Sequence, residues 1–151
     1  MNNAKGDASL YSTRGDYQDF HLRTECKISD GGNSGIYIRA GQAGGELGYE
    51  AQINTTGVEP SRTGGISRWA PLNETPVKPD QWFVYDIIAQ GDRIQLYVDG
   101  VKTADFTDTR PERPAKGHIV LERYIGTAQF RKIEIRELKP GDIAEVPKPG
   151  K

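Results

Sequence analysis

Between positions 48 and 54 the chain reads Gly48-Tyr49-Glu50-Ala51-Gln52-Ile53-Asn54. In an extended strand, period-two alternation places Tyr49, Ala51 and Ile53 on one face and Glu50, Gln52 and Asn54 on the other. A carboxylate followed by two amides is a ladder of hydrogen-bond donors and acceptors. Sugar hydroxyls suit such a ladder, because each both gives and accepts a hydrogen bond. Tyr37 and Arg39 share a face of a second segment, and Arg39 could orient a carboxylate or hold a carbonyl oxygen. Glu122 and Tyr124 share a face of a third, with His118 in the same parity. Trp69 offers a flat ring on which a pyranose could stack.

Each feature also has a plainer reading. One face of an antiparallel sheet is usually wet, so Glu50, Gln52 and Asn54 could be ordinary solvated side chains. Arg39 and Glu50 could form a cross-strand ion pair of little energetic weight. Trp69, beside a proline-rich stretch, could plug the edge of a core. His21 lies among charged residues and reads as surface. Two histidines make no zinc motif. Phosphate loops, dinucleotide fingerprints and serine elbows are absent, and the glycine-rich stretch 41–45 lacks the Lys-Ser/Thr and helix of a P-loop.

The elements that must hold these residues are strands. Phe20, Leu22, Thr24, Cys26 and Ile28 alternate with Asp19, His21, Arg23, Glu25 and Lys27, which is the pattern of a half-buried strand. Similar reasoning predicts strands over 34–39, 48–54, 82–90, 93–98, 101–106, 117–124 and 128–138, and a short one over 64–69. Asp99-Gly100 predicts a tight type I′ hairpin. Residues 71–79, with three prolines, and 107–116 read as irregular connections. No segment shows helical periodicity. The prediction is an all-β, two-sheet antiparallel jelly-roll sandwich occupying 1–139, followed by a Pro-rich tail or linker over 140–151.

The 151 residues suffice for one domain with a real core. A formal net charge of −1 argues against a nucleic-acid footprint. No apolar run approaches the ~20 residues of a membrane-spanning helix. The single cysteine, Cys26, excludes an internal disulfide and is expected to be a buried, inert thiol.

Six segments, in order, resemble the 3-keto-disaccharide hydrolase family. They are Gly32-Asn33-Ser34-Gly35-Ile36-Tyr37-Ile38-Arg39, Gly48-Tyr49-Glu50-Ala51-Gln52-Ile53, Thr63-Gly64-Gly65-Ile66, Lys78-Pro79-Asp80-Gln81-Trp82, Asp99-Gly100-Val101, and the closing stretch from Phe130 to Leu138. The resemblance implies a concanavalin A-like fold and action on glycosides oxidised to a ketone at C3. Such a ketone acidifies the C2 hydrogen, so a positioned base can remove it and form an enolate. The enolate expels the C1 substituent, and water then adds. On this reading Glu50 is the candidate base, with Arg39 and Tyr124 completing the catalytic set. Gln52, Asn54, Tyr37, Trp69, Arg68, Glu122 and His118 are candidates for substrate binding. The partner is a carbohydrate, either an oxidised glycoside or a glycan, and the resemblance suggests an extracytoplasmic setting. The alternative is a non-catalytic carbohydrate-binding or accessory module.

Three departures from the family pattern bear on this. The family's opening strand is not evident, which would leave a sheet edge open to a partner chain or domain. The Thr-Gly-Ala-Ile-Tyr pattern ends in Ser67. The Leu-Gln-x-His pattern reads Leu121-Glu122-Arg123-Tyr124, and a phenol of pKa ~10 is a poor base at neutral pH. A divalent cation such as calcium could be held by the oxygens of Glu50, Asn54 and Glu122, although no ligand spacing demands one.

Overall fold

The computed structural model describes residues 8–42 and 48–148. Nine strands appear and, among the described residues, no helix. They are β1 (Ala8–Tyr11), β2 (Phe20–Ile28), β3 (Asn33–Ala40), β4 (Tyr49–Ile53), β5 (Phe83–Gln90), β6 (Arg93–Val98), β7 (Val101–Thr107), β8 (His118–Ile125) and β9 (Ala128–Glu137). One sheet has the order β1-β8-β3-β4 and the other β7-β6-β5-β2-β9. All neighbours run antiparallel.

The core lies between the sheets and follows the period-two pattern. Phe20, Leu22, Cys26 and Ile28 of β2 meet Ile36 and Ile38 of β3 and Tyr49, Ala51 and Ile53 of β4 in one apolar cluster. Ile87, Ile94, Leu96 and Val98 complete it from the second sheet. Burying one such side chain is worth roughly 1.5–3 kcal/mol, so the inward face dictates strand register. Cys26 is buried, and burial pushes its thiol far above the ordinary range. The Asp99-Gly100 hairpin forms as expected, with φ of 48° and 80° at its two centres, the combination that a type I′ turn requires.

Two segments differ from expectation. Residues 64–69 are not a strand: Ile66 makes isolated bridges to Ala51 and Ala70, and the chain turns tightly between them. Four residues around Ile66 nevertheless cover the free edge of β4, because Gln52 N–H donates to Gly65 O and Ser67 N–H to Glu50 O. Residues 8–11, unassigned from pattern, pair with β8 in the register Ala8↔Arg123 to Tyr11↔Val120. That edge of β8 is therefore taken by this chain's own β1. Residues 140–148 form no strand or helix, and Gln90 Nε2 donates to Asp142 O there. The glycine-rich stretch 41–45 falls largely outside the described residues.

Candidate active site

The outer face of the β1-β8-β3-β4 sheet carries a cleft of about 540 Å³. That is within the range of small-molecule sites. Tyr37 of β3, Glu50 and Gln52 of β4, and Glu122 and Tyr124 of β8 form its floor and one side. The opposite wall comes from Glu59, Pro60 and Ser61, with Ser67, Arg68 and Pro71 closing the end.

Register explains how the floor assembles. Tyr37 pairs with Glu50, and Gly35 pairs with both Gln52 and Glu122. Gly35 is thus the bare centre of the floor, flanked by polar side chains. Its φ is not in the left-handed region, so the demand for glycine is steric. A Cβ there would collide with Oε1, Cγ and Cδ of Glu50. The Glu50 carboxyl folds across the backbone of β3 only because residue 35 has no side chain. A glycine inside a strand costs stability, and close approach by another group is a usual reason for it.

The electrostatics of Glu50 are distinctive. Burial pushes its carboxyl up to about 7. The neighbouring hydroxyls of Ser67 and Tyr37 pull the other way, while the negative charges of Glu122 and Glu59 add to the rise. Tyr37 in turn is raised by burial and by the charges of Glu50 and Glu122, so it stays a hydrogen-bond donor at neutral pH. Gln52 is 4% exposed and fixed at both ends of its amide. Its Nε2 donates to Asn33 Oδ1 at 3.2 Å, and its Oε1 accepts from Ser67 Oγ at 3.3 Å. Behind it, Tyr85 Oη donates to Gln52 O and accepts from Gly64 N–H, both at 3.1 Å. This ties the 64–67 turn to β4. Arg68 stands at the rim with φ 73°, a strained conformation for a residue with a Cβ. Tyr124 is 46% exposed and forms part of the cleft margin.

Four of the expected residues lie elsewhere. Arg39 has φ 50° at a register shift between β3 and β8, and this bulge turns its side chain away from Tyr37. Its guanidinium is 1% exposed and donates to Gln18 O, to Gly91 O at 2.7 Å and to Asp19. Arg39 therefore staples the approach to β2 onto the β5–β6 turn and does not meet Glu50. Asn54 follows the end of β4 and is fully buried. Its Nδ2 donates to Glu59 O and Ser61 O, and its N–H to Thr63 Oγ1. It holds the cleft wall from behind and presents nothing to the floor. The oxygen set of Glu50, Asn54 and Glu122 is consequently not assembled. Among the described residues no group of three His, Cys, Asp or Glu side chains is placed to hold a metal ion. Trp69 stacks on Phe106 at 5.8 Å and 23°, under the Arg110 guanidinium, and so packs the core edge. His118 lies at the opposite end of β8, where its Nδ1 is 2.8 Å from Ser12 O and its ring meets Tyr11 edge-on.

The wall residues Glu59, Pro60 and Ser61 were not expected. They come from a polar loop with no periodicity, brought over the sheet by the hydrogen bonds that Asn54 Nδ2 donates to Glu59 O and Ser61 O. Asn33 had a signal, since it sits inside a segment that carries the family resemblance, whereas Ser67 stands where that pattern is broken.

The 3-keto-alpha-glucoside-1,2-lyase-like domain matches residues 1–136. The chain belongs to this family of carbohydrate-active domains. No curated protein matches it significantly. Among solved structures, it is similar to a candidate glycosyl hydrolase of Parabacteroides distasonis, with 22% identity and TM-score 0.72 over 88% of this chain and 84% of that one. A second candidate glycosyl hydrolase from the same organism gives 16% identity and TM-score 0.75, over 91% and 78%. A family 66 carbohydrate-binding module from Bacillus subtilis gives 19% and 0.67, over 89% and 84%. At these identities the likeness establishes the fold, a two-sheet jelly-roll sandwich, and nothing finer. The family membership agrees with the resemblance read from the six sequence segments.

Proposed function

We propose that this 3-keto-glucoside lyase-like domain cleaves a glycoside already oxidised at C3, by base-assisted elimination across C1 and C2 and subsequent hydration. The observation that carries the reading is Glu50: a carboxyl with proton affinity near neutrality, folded over a bare glycine at the floor of a sugar-sized cleft. A general base works best when its pKa lies near the working pH. Glu50 takes the C2 proton, and the electron pair moves into the C2–C3 bond while the C3 carbonyl becomes an enolate. Collapse of the enolate re-forms the ketone, makes the C1–C2 double bond and expels the C1 oxygen with its aglycone. A proton from the cleft completes the leaving alcohol, and addition of water across C1–C2 returns the 3-keto sugar.

Arg39 has no place in this step. Arg68 is the cation on the cleft and takes the role of steadying the enolate oxygen, together with the fixed amide of Gln52. Tyr124 supplies a hydroxyl donor to the ring, and Tyr37 Oη offers it an acceptor. Incubation with a 3-keto-disaccharide tests the reading: aglycone release by wild type, with exchange of the C2 hydrogen for solvent deuterium, is expected. Absence of both on a panel of 3-keto-glycosides sinks it.

The second reading is a module that binds such sugars without turning them over. It is favoured by Tyr124, which stands where a histidine is common in the family pattern. Saturable binding with no C2 exchange identifies it.

A further inference from the structure

The cleft has an uneven charge. Glu50 lies on its floor, Glu122 on the β8 side and Glu59 on the loop wall, so carboxylates face it from three directions. Among the described lining residues, the cation is Arg68 at the rim. The remaining lining is neutral: Asn33, Gln52, Ser61, Ser67 and the two tyrosines, with prolines between them. Ser61 is 6% exposed, lines the same wall as Glu59, and its hydroxyl has no hydrogen-bond partner within the protein.

A volume of about 540 Å³ corresponds to a sphere roughly 10 Å across, and the Debye length at physiological salt is about 8 Å. A charge carried by a ligand at the centre of the cleft therefore lies within about one Debye length of the Glu59 and Glu122 carboxylates. We infer that the site selects its sugar by charge: it accepts neutral and amino-substituted glycosides and rejects uronates and sugars bearing sulfate or phosphate, with Glu59 and Glu122 as the specificity-determining residues. This rests on the sugar-site reading above and adds the substrate class. Rejection follows from placing a carboxylate beside like charges in a partly dehydrated site. Acceptance of an ammonium follows from the same field with the sign reversed. Glu59 is the sharper handle, since only its main chain is held by Asn54.

The test uses three methyl 3-keto-glucosides that differ only at C6, which carries a hydroxymethyl, an aminomethyl or a carboxylate group. Binding is measured by calorimetric titration to the Glu50→Gln protein, in which turnover is blocked and the other two carboxylates remain. The carboxylate ligand is expected to bind at least about tenfold more weakly than the hydroxymethyl one, a gap of ~1.4 kcal/mol. The amine is expected to bind about threefold more tightly. Raising sodium chloride from 20 to 500 mM should shrink both ratios, which a purely steric preference would not do. Adding Glu59→Gln should bring the carboxylate ligand roughly threefold closer to the neutral one. The salt series needs no second variant and stands if that protein fails to fold. Equal binding of the three ligands, or tighter binding of the carboxylate, overturns charge selection and leaves the sugar site intact. Binding of none overturns the sugar site, and charge selection with it.

Discussion

Glu50 and Asp108 are two carboxylates that engage neighbouring positions of β4, and they live in opposite surroundings. Asp108 accepts from Tyr49 Oη at 2.6 Å and from Arg110 at 2.7 and 2.9 Å. Arg110 holds it well below the usual carboxylate range. Glu50, one residue along on the other face, has hydroxyl donors and two further carboxylates, and is held well above that range. Strand alternation alone separates the two worlds. One carboxylate is a structural anchor whose charge is satisfied. The other is kept unsatisfied, at a cost in stability that a fold tolerates where chemistry is done.

The contrast can be broken most severely at Glu50. Glu50→Gln should lower turnover of a 3-keto-disaccharide by roughly 10²–10⁴-fold while leaving the fold intact, as read by initial rates and circular dichroism. Gly35→Ala is the next largest disturbance. Its methyl displaces the Glu50 carboxyl, and we expect ~1–3 kcal/mol lost in urea melts, with a larger share of activity lost than a distant substitution of equal cost would cause.

The pH behaviour of the two groups has opposite signs. Glu50 has a folded pKa raised to about 7 from 4.5. The stability it contributes is present below about 4.5 and is lost as pH rises to about 7. Glu50→Gln should therefore match wild type at pH 4 and exceed it by roughly 1–3 kcal/mol at pH 8. Activity runs the other way, rising through pH 7 as the base is deprotonated. Asp108 is depressed, so the stability it contributes is present above its ordinary pKa and is lost as pH falls below that value. Asp108→Asn should cost about 1–3 kcal/mol at pH 7, and the cost should shrink in acid. Chemical melts at pH 4 and pH 8 on Glu50→Gln, and at pH 2 and pH 7 on Asp108→Asn, decide whether the two carboxylates differ as described. The smallest effect is expected from Trp69→Ala on ligand affinity, less than about twofold after correction for stability, because the ring packs against Phe106 and Arg110.

The strands were legible because an apolar face repeats every second residue, and β2 and β4 show this without ambiguity. The floor of the cleft followed from the same rule, which put Glu50, Gln52, Glu122 and Tyr124 outward. What alternation could not reveal was any break in itself. Arg39 should have shared a face with Tyr37, but a left-handed residue at a bulge turned it inward. Asn54 kept its parity on paper, yet it lies just past the strand, where a loop folds over it. The wall from Glu59 to Ser61 has no periodicity to read. Its place depends on the hydrogen bonds from the Asn54 amide to Glu59 O and Ser61 O, which become visible only once the chain is folded.

Asn54 joins the cleft wall to the end of β4. It grips the wall by main-chain carbonyls, at Glu59 and Ser61, and Thr63 N–H returns a bond to its own carbonyl. Nothing in that grip reads which side chains the wall carries. The loop is therefore a replaceable cassette on a fixed bracket, and its side chains can be exchanged by mutation while the outline of the cleft stays the same. A lineage with this bracket can retune what it accepts at little structural risk, and a protein engineer can do the same at position 59.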